Sequence, residues 1–290
     1  MEKFVALLFS GVAYGAVLAI VSLGFLVLYK ATGVINFAHG DLVTLGAYLA
    51  AWFISTSGIP IVLSYVIAIV AMFLVGVVLE RVAHAPLRKR PVIVVVIATL
   101  AASIVIEGII AVWQGSQPVP LPSPVGNSTV TILGASISDQ RILIIVVAFI
   151  AVTAMVLVFQ RTSFGRQLRA LASDQATAQL QGIRVRPIAV IAFGLSAALA
   201  ALAGVLVGPL SALTIQFGFN LMVLAFAAAV IGGFGSIGGA IVGSLIMGLT
   251  QQLLGGYIFT EYANSLPFIL LFIVIVLRPT GLFNVQRARL

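Results

Sequence analysis

The sequence of 290 residues contains no cysteine, only two histidines and only 8% charged residues. The absence of cysteine excludes disulfides, thiolate catalysis and cysteine-based metal sites. His39 and His84 alone are too few for a metal site built on histidine ligands. Because roughly a quarter of the residues in a soluble domain are charged, the composition excludes a cytosolic enzyme, a nucleic-acid-binding domain and a disordered chain. A polytopic membrane protein remains.

Hydrophobic residues make up 62% of the chain, and they gather in runs long enough to cross a bilayer as helices of about 20 residues. The clear runs occupy residues 4–29, 61–79, 92–113, 142–159, 188–213 and 262–277. Residues 34–54 predict one more span with a polar entrance, and the glycine-interrupted residues 220–254 predict two short helices. The sequence therefore predicts an all-α polytopic membrane protein with about nine transmembrane helices, some of them short or broken. Eight or ten transmembrane helices of about 20 residues each are the alternatives.

The distribution of positive charge predicts the orientation of the chain. The net charge is +8, and the basic residues lie mainly in residues 80–91, in residues 160–187 and in a tail that contains Arg278, Arg287 and Arg289. The positive-inside rule places these three segments in the cytoplasm. Residues 114–140 lack lysine and arginine, and residues 255–261 carry only Glu261, so both are predicted to lie outside. Alternation between the sides puts the N-terminus outside and the C-terminus in the cytoplasm.

The start of the second predicted span is unusually polar, with Asn36, His39, Gly40 and Asp41 around Phe37. One interpretation is an ordinary helix start, in which Asn36 caps the helix, Asp41 favours its positive end and His39 lies in the membrane interface. The other is a broken helix that lines a solute path, because polar groups within the hydrocarbon are costly and are functional candidates. The sequence leaves both interpretations open.

Glu107 is a lone carboxylate inside the predicted span over residues 92–113. Thr99, Ser103 and Glu107 are spaced four residues apart and therefore share one helical face. Such a face is expected to point to the bundle interior or to water. We favour a structural or path-lining role for Glu107 over a role in proton coupling, which usually requires a charged partner inside the membrane.

Residues 160–187 form the longest charged stretch and predict a short amphipathic helix pair. Leu168, Leu171, Ala172, Gln175 and Ala178 are expected along one face, and Gly182 is expected to cap the end. A solvated helix held against lipid headgroups is one interpretation. A docking element for a cytoplasmic partner is the other, and the high alanine content favours it. The residues assigned to such a coupling surface are Arg166, Arg169, Ala170, Asp174, Ala178 and Gly182.

Residues 232–239 contain a cluster of glycines. The lysine that ends a phosphate-binding loop does not follow this cluster, so the chain itself is expected to bind no ATP. Glycines here permit a tight turn or a close approach of helices. Because irregular backbone at membrane depth survives only where protein buries it or a cavity wets it, Gly232, Gly233 and Gly235 are predicted to border the solute path.

Three segments together resemble a known family. Residues 29–41 read Tyr-Lys-Ala-Thr-Gly-Val-Ile-Asn-Phe-Ala-His-Gly-Asp and are followed by Leu-Gly-Ala-Tyr at residues 45–48. Residues 169–174 read Arg-Ala-Leu-Ala-Ser-Asp, with Gln-Gly-Ile at residues 181–183, and residues 232–240 read Gly-Gly-Phe-Gly-Ser-Ile-Gly-Gly-Ala. In this order they resemble the permeases of branched-chain (hydrophobic) amino acid ABC importers, and the Asn-Phe-Ala-His-Gly run resembles the first of the two permease types.

The resemblance implies one transmembrane permease domain over residues 1–290, with a cytoplasmic coupling region at residues 160–187. It implies a multi-pass protein of a prokaryotic inner membrane that works with a second permease, two cytoplasmic ATPases and an extracytoplasmic solute-binding protein. The chain would hold no cofactor, no metal and no catalytic residue, and ATP would be hydrolysed on the partner subunits. The alternatives are a permease for urea or short-chain amides, and a proton-coupled secondary transporter that uses Glu107, Asp41 and His39. A channel is a further rival, whereas no residue set supports an intramembrane enzyme.

Overall fold

The computed structural model describes residues 2–88, 90–115, 117–258, 265–278 and 280–283. The predicted features at Lys89, Glu261, Tyr262, Arg287 and Arg289 lie outside these described residues. The helices in chain order are α1 (Glu2–Thr32), α2 (His39–Ser57), α3 (Ile61–Leu79), α4 (Val92–Gln114), α5 (Asp139–Arg161), α6 (Ser163–Ser173), α7 (Gln175–Leu180), α8 (Val185–Val207), α9 (Phe217–Gly232), α10 (Ile237–Tyr257) and α11 (Leu266–Leu277). A π-helical turn, Glu80–His84, and a 3-10 turn, Ala85–Leu87, extend α3, and a 3-10 turn, Gly208–Leu210, extends α8.

Within the described residues, every predicted apolar run overlaps one or two of these helices. Among the described residues, 6 helices could cross a membrane by length and composition, and they are Glu2–Thr32, Ile61–Leu87, Val92–Gln114, Asp139–Arg161, Val185–Leu210 and Ile237–Tyr257. Phe217–Gly232 and Pro267–Leu277 are shorter apolar helices. The two short helices predicted around the glycine cluster are α9 and α10. The chain is therefore a largely helical, polytopic membrane protein.

The segment between α4 and α5 contains a β-hairpin that the sequence analysis missed. Strands β1 (Thr129–Ile132) and β2 (Ala135–Ser138) pair antiparallel, with Ile132 opposite Ala135. Leu133 and Gly134 between them both have positive φ, 51° and 84°, which is the geometry of a type I′ hairpin turn. The inward-facing Ala135 and Ile137 pack with Val5 of α1. The fold is therefore mostly α-helical with a β-hairpin, rather than all-α as predicted.

The helices form two compact units, whose boundaries pass through α1, α5 and α9. The first unit comprises Met1–Leu23, Ser123–Val152 and Leu221–Leu290, and the second comprises Gly24–Pro122 and Thr153–Asn220. In the first unit α1 and α10 pack through glycines: a Cβ on Gly11 would lie 3.0 Å from the Cα of Leu249, and one on Gly15 would lie 2.8 Å from the carbonyl oxygen of Ser244. Ser22 also donates a hydrogen bond of 2.8 Å to the carbonyl of Ala225.

The second unit is built around α8, which is largely buried and packs against α2 and α3. Small residues bring these backbones together, as is usual between membrane helices. A Cβ on Gly46 of α2 would lie 2.6 Å from the Cα of Ala201, and one on Gly76 of α3 would collide with the carbonyl oxygen of Phe193. Helix α4 packs against α2. This unit holds the polar start of α2 and the charged residues 160–187.

Helix α3 carries an exposed apolar stripe on the face that does not meet α8. The stripe repeats every four residues through Val62, Val66, Val70, Leu74 and Val78. Residues four apart lie on one side of a helix, and a continuous exposed apolar surface marks contact with lipid or with another protein. In a polytopic membrane protein we assign this stripe to the lipid.

Candidate functional site

The polar segment between α1 and α2 is non-helical, and much of it is buried. Gly33 ends α1 with φ of +72°, and residues 33–38 turn before α2 begins at His39. The side-chain oxygen of Asn36 accepts a hydrogen bond of 3.1 Å from the backbone N–H of Ala38. Ala38 occupies the N-cap position and makes no side-chain cap bond. Asn36 therefore stabilises the turn before α2 and does not cap the helix, because it precedes the N-cap residue by two positions.

The first turn of α2 is withdrawn from solvent. His39 and Asp41 are both 0% exposed, so His39 does not lie at an exposed interface, contrary to the helix-start interpretation. The Nδ1 of His39 lies 3.1 Å from the hydroxyl oxygen of Ser196 on α8. A Cβ on Gly24 would lie 2.9 Å from the imidazole ring, so the glycine makes room for it. The acidic Asp41 does lie in the first turn of the helix, as predicted.

The predicted polar face of α4 meets this segment. Ser103 donates a hydrogen bond of 2.5 Å to Oδ2 of Asp41, and the hydroxyl of Thr99 accepts one of 3.2 Å from the backbone N–H of Phe37. Thr99 and Ser103 are buried, and Glu107, one turn further along the same face, is half-buried. The structure therefore places the two sequence-derived features, the start of α2 and the polar face of α4, next to each other.

Two polar atoms in this cluster have no hydrogen-bond partner among the described residues. One is Oδ1 of Asp41, an acceptor, and the other is Nδ2 of Asn36, a donor. Asp41 is 0% exposed and Asn36 is 3% exposed. Leaving such groups buried and unpaired costs about 1–3 kcal/mol each, and more for a charged group. The cluster therefore holds one unpaired donor and one unpaired acceptor within the described residues.

The backbone of Gly40 in α2 lies close to Gly218 at the start of α9. A Cβ on Gly218, at the start of α9, would collide with the carbonyl oxygen of Gly40. The backbone N–H of Gly218 donates a hydrogen bond of 2.9 Å to the hydroxyl of Thr44, which is fully buried. The first two turns of α2 are therefore fixed on several sides within the second unit.

The glycine cluster of the first unit forms the tight turn between α9 and α10. Gly233 and Gly235 have φ of +105° and +106°, values that suit glycine alone. Gly232 and Gly239 face each other so closely that a Cβ on either would collide with the other's carbonyl. The hydroxyl of Ser236 caps α10 by accepting a hydrogen bond of 3.0 Å from the N–H of Gly239. These glycines serve a turn and a close helix approach in this unit.

Residues 160–187 form two short helices, α6 and α7, which confirms the predicted pair. The break falls at Asp174, whose carboxylate caps α7 by accepting bonds from the N–H groups of Ala176 and Thr177. Hydrogen bonds from the side chain and the N–H of Thr177 lower the pKa of Asp174. Asp174 therefore separates α6 from α7. Gly182 follows with φ of +87°.

The buried face of this pair is narrower than predicted. Leu168, Leu171 and Ala178 are buried, whereas Ala172 and Gln175 are exposed. Arg169, expected at the rim of a docking surface, instead donates a hydrogen bond to the carbonyl of Phe159 at the end of α5. Arg166 is exposed and Ala170 is half-buried.

Some residues of the site could not be picked out from the sequence. Ser196 lies in a run of small residues. It contacts His39 although the two residues are 157 positions apart in the chain. Leu180 lies at the end of α7 and is 89% exposed. Leu180 could have been identified as an apolar residue among polar neighbours on a predicted cytoplasmic helix. No local feature of the sequence distinguishes Ser196.

Comparison with known proteins identifies relatives along nearly the whole chain. A family model described as "Branched-chain amino acid transport system / permease component" matches residues 7–275. The high-affinity branched-chain amino acid transport system permease protein LivH of Escherichia coli (strain K12) is 34% identical over 296 aligned residues, which cover 97% of this chain and 96% of the relative. BraD, a permease protein of the same type from Pseudomonas aeruginosa, is 31% identical and covers 96% of this chain and 94% of its own.

A solved structure is similar in fold. It is described as PsaBC from Streptococcus pneumoniae in complex with Fab, and it matches with a TM-score of 0.52 at 14% identity. The match covers 98% of this chain and 94% of the other. At this identity the likeness concerns the fold alone.

Proposed function

Because the chain belongs to the family of permease components of branched-chain amino acid transport systems, we propose that it is the transmembrane permease subunit of an ATP-driven importer for branched-chain or other small amino acids. The observation that carries this proposal is the match over residues 7–275, together with relatives 31% and 34% identical over nearly their full lengths. Both compact units serve the one permease domain of residues 1–290.

The solute path runs past the buried start of α2. The free acceptor at Oδ1 of Asp41 suits the ammonium group of an amino acid, and the free donor at Nδ2 of Asn36 suits its carboxylate. The surrounding small and apolar residues leave the solute's side chain in an apolar environment. His39, with Ser196 beside it, and Gly40 hold the geometry of this turn, while Phe37 is fixed to Thr99 through its backbone.

Glu107 and the glycine turn extend the proposed path. Glu107 follows Ser103 by one helical turn on a half-buried face of α4, so we assign it a lining role without proton transfer. Gly232, Gly233 and Gly235 provide an irregular backbone in the first unit, and we assign them to the path because such backbone at membrane depth requires protein or water around it.

Transport is driven by partner subunits that hydrolyse ATP, while this chain itself binds no cofactor and no metal. We propose that α6 and α7 dock on a cytoplasmic ATPase. The exposed positions of this surface include Arg166, Arg169, Asp174 and Leu180. Ala170 and Ala178 maintain its shape from within, and the exposed Gly182 does so at its end. A second permease and an extracytoplasmic solute-binding protein complete the assembly. The α6–α7 pair belongs to a region that the positive-inside rule assigns to the cytoplasm.

The topology follows from the same rule. We propose about nine crossings of roughly 20 residues in a prokaryotic inner membrane, with the N-terminus outside. Reporter tags at Asn127 and near Gly256 are expected to report the outside, and tags near Lys89, Asp174 and Arg289 the inside. A cytoplasmic reading at Asn127 contradicts the orientation.

Reconstitution tests the function and separates it from its rivals. The chain, its adjacent-gene permease, ATPases and binding protein are placed in proteoliposomes, and uptake of labelled leucine, isoleucine and valine is compared with uptake of urea and short amides. We expect amino acid uptake that requires ATP and persists after the proton gradient is collapsed. Uptake that needs the gradient but no ATP identifies a secondary carrier, and uptake of urea alone identifies the amide permease.

A further inference from the structure

A cavity in the second unit lies where α3 and α8 meet the charged segments. Its volume is about 730 Å³, and it is lined by the π-helical turn after α3, by α7 and by the start of α8. Arg81, Arg88 and Arg186 contribute three positive charges to its wall, and Glu80 contributes one negative charge. The pairing of Glu80 with Arg88 leaves Arg81 and Arg186 without a compensating charge in the cavity wall.

The positively charged donors in the cavity wall outnumber its negatively charged acceptors. The Nε of Arg88 is buried and has no hydrogen-bond partner among the described residues. Burial lowers the pKa of Arg88, and the positive charge of Arg186 lowers it further, so the two guanidinium groups repel each other. An anion between them would relieve this repulsion and would accept the free N–H of Arg88.

The N-terminus of α8 adds to the positive potential. Helix α8 has 23 residues, and Arg184 at its N-cap makes no side-chain cap bond. Val185 and Arg186, whose backbone N–H groups stand in the first turn, line the cavity. The start of a helix carries a partial positive charge and favours anions, phosphate in particular.

The surroundings indicate the source of the anion. The exposed apolar stripe of α3 ends at Val78, two residues before Glu80 in the cavity wall. Val82, which is also exposed, adjoins the cavity residue Arg81 in the chain. Apolar surface that ends in a group of arginines matches a phospholipid, whose acyl chains follow the stripe and whose phosphate lies at the cavity. Basic pockets at the cytoplasmic ends of membrane helices bind anionic headgroups.

We propose that this cavity, lined by Arg81, Arg88 and Arg186 at the start of α8, binds the phosphate of an anionic phospholipid. A bound phosphate contacts the π-helical turn, the start of α8 and the neighbouring α7 at once, and it therefore stiffens the base of the segment that carries α7. The inference rests on the cavity and its charges, and it is independent of which solute the chain transports.

Native mass spectrometry of the full-length chain in detergent tests the proposal with dioleoyl phosphatidylglycerol and dioleoyl phosphatidylcholine as probes. We expect preferential retention of phosphatidylglycerol. One basic side chain beside a bound anionic headgroup changes the affinity for that lipid by about fivefold, so Arg186→Gln and Arg81→Gln in the cavity wall should each weaken retention by about fivefold. Arg186→Lys keeps the charge and should retain most of the binding.

Arg90→Gln is the matched control, because Arg90 is an exposed arginine close to Arg88 in the chain that is absent from the cavity wall. It should leave lipid retention within about twofold, less than the effect of one cavity arginine. An equal loss in Arg90→Gln, or no preference for phosphatidylglycerol in the unaltered chain, overturns the proposal. A further test adds inorganic phosphate as a competitor of the bound lipid. If inorganic phosphate releases the lipid at the same concentration as added phosphatidylglycerol does, the cavity binds a free anion and the proposal is overturned.

Discussion

Ser103 of α4 donates a hydrogen bond to Oδ2 of Asp41 in the first turn of α2, and both side chains are buried. The bond joins two helices through residues 62 positions apart in the chain. A carboxylate with 0% exposure needs such a donor because burying a charge without hydrogen bonds is strongly unfavourable. The second oxygen of the same carboxylate has no partner among the described residues. One oxygen of Asp41 is therefore hydrogen-bonded, and the other is buried without a partner among the described residues.

Removal of the Ser103 hydroxyl tests how much this bond contributes. Ser103→Ala leaves Oδ2 of Asp41 unsatisfied and should lower stability by about 1–3 kcal/mol, measured as a lower melting temperature of the purified chain in detergent. Uptake should fall as well, because the orientation of Asp41 is no longer fixed. Ser55→Ala removes an exposed hydroxyl from the same α2 helix and should change neither quantity. Equal melting temperatures for Ser103→Ala and the unaltered chain contradict the prediction.

Glu107→Gln separates a lining residue from a proton relay. The amide preserves the shape and most of the hydrogen-bonding capacity of the carboxyl group. If Glu107 lines the path, uptake should stay within about twofold, a change of less than 1 kcal/mol in barrier height. Abolished uptake and loss of its pH dependence, at normal expression, favour the proton-coupled carrier instead.

Gly46 is predicted to tolerate no larger side chain. Its Cβ would lie 2.6 Å from both the Cα and the Cβ of Ala201, so Gly46→Ala forces α2 away from α8. Overpacking of this kind costs about 1–3 kcal/mol and should lower the melting temperature. Gly108→Ala is the matched control, since a Cβ there meets no atom within 4 Å and alanine is the better helix former. Similar destabilisation by both substitutions contradicts the packing argument.

Leu180 is predicted to contact the ATPase. It is 89% exposed at the end of α7, so Leu180→Glu should leave the fold intact while it reduces co-purification of the ATPase and the uptake that the ATPase drives. Leu133→Glu is the same substitution at a residue that is 80% exposed on the hairpin, on the side predicted to lie outside. It should have no effect on ATPase binding. Normal co-purification in Leu180→Glu places the docking surface elsewhere, with residues 80–91 as the next choice.

The helical fold was predictable from the sequence because long apolar runs have few alternatives to a membrane helix. The polar face of α4 was also predictable, since the four-residue spacing of Thr99, Ser103 and Glu107 fixes it. The β-hairpin was missed because the outer segment was interpreted through its charge alone. The hairpin could have been predicted from the alternation of polar and apolar residues in Thr-Val-Thr-Ile and Ala-Ser-Ile-Ser, which flank Leu133 and Gly134.

Contacts between distant parts of the chain explain the rest of what the sequence could not show. His39 is fixed by Ser196, and nothing in the neighbourhood of either residue in the sequence identifies the other. The two helices at residues 163–180 were expected, but their boundary was not. Asp174 was assigned only to a coupling surface, although aspartate is among the preferred N-cap residues. Its carboxylate caps the start of α7.

The position of Asp174 allows capping to be separated from charge. Asp174 accepts hydrogen bonds from the N–H groups of Ala176 and Thr177, and asparagine can accept the same bonds without a negative charge. Asp174→Arg removes both the cap and the charge, so we expect lost co-purification with the ATPase and lost stimulation of its hydrolysis. Asp174→Asn should retain both if capping is the contribution of this residue, whereas Asp174→Ala should reduce both.

The comparison of the three variants decides between a structural and an electrostatic role at the coupling surface. Each substitution lies on an exposed residue outside the apolar spans, so membrane insertion should be normal in all of them. A loss in Asp174→Asn as large as that in Asp174→Arg shows that the negative charge itself contacts a basic group of the ATPase. Full activity in all three variants removes Asp174 from the coupling surface altogether, because neither the start of α7 nor its charge then matters for the transmission of ATP hydrolysis to the membrane helices.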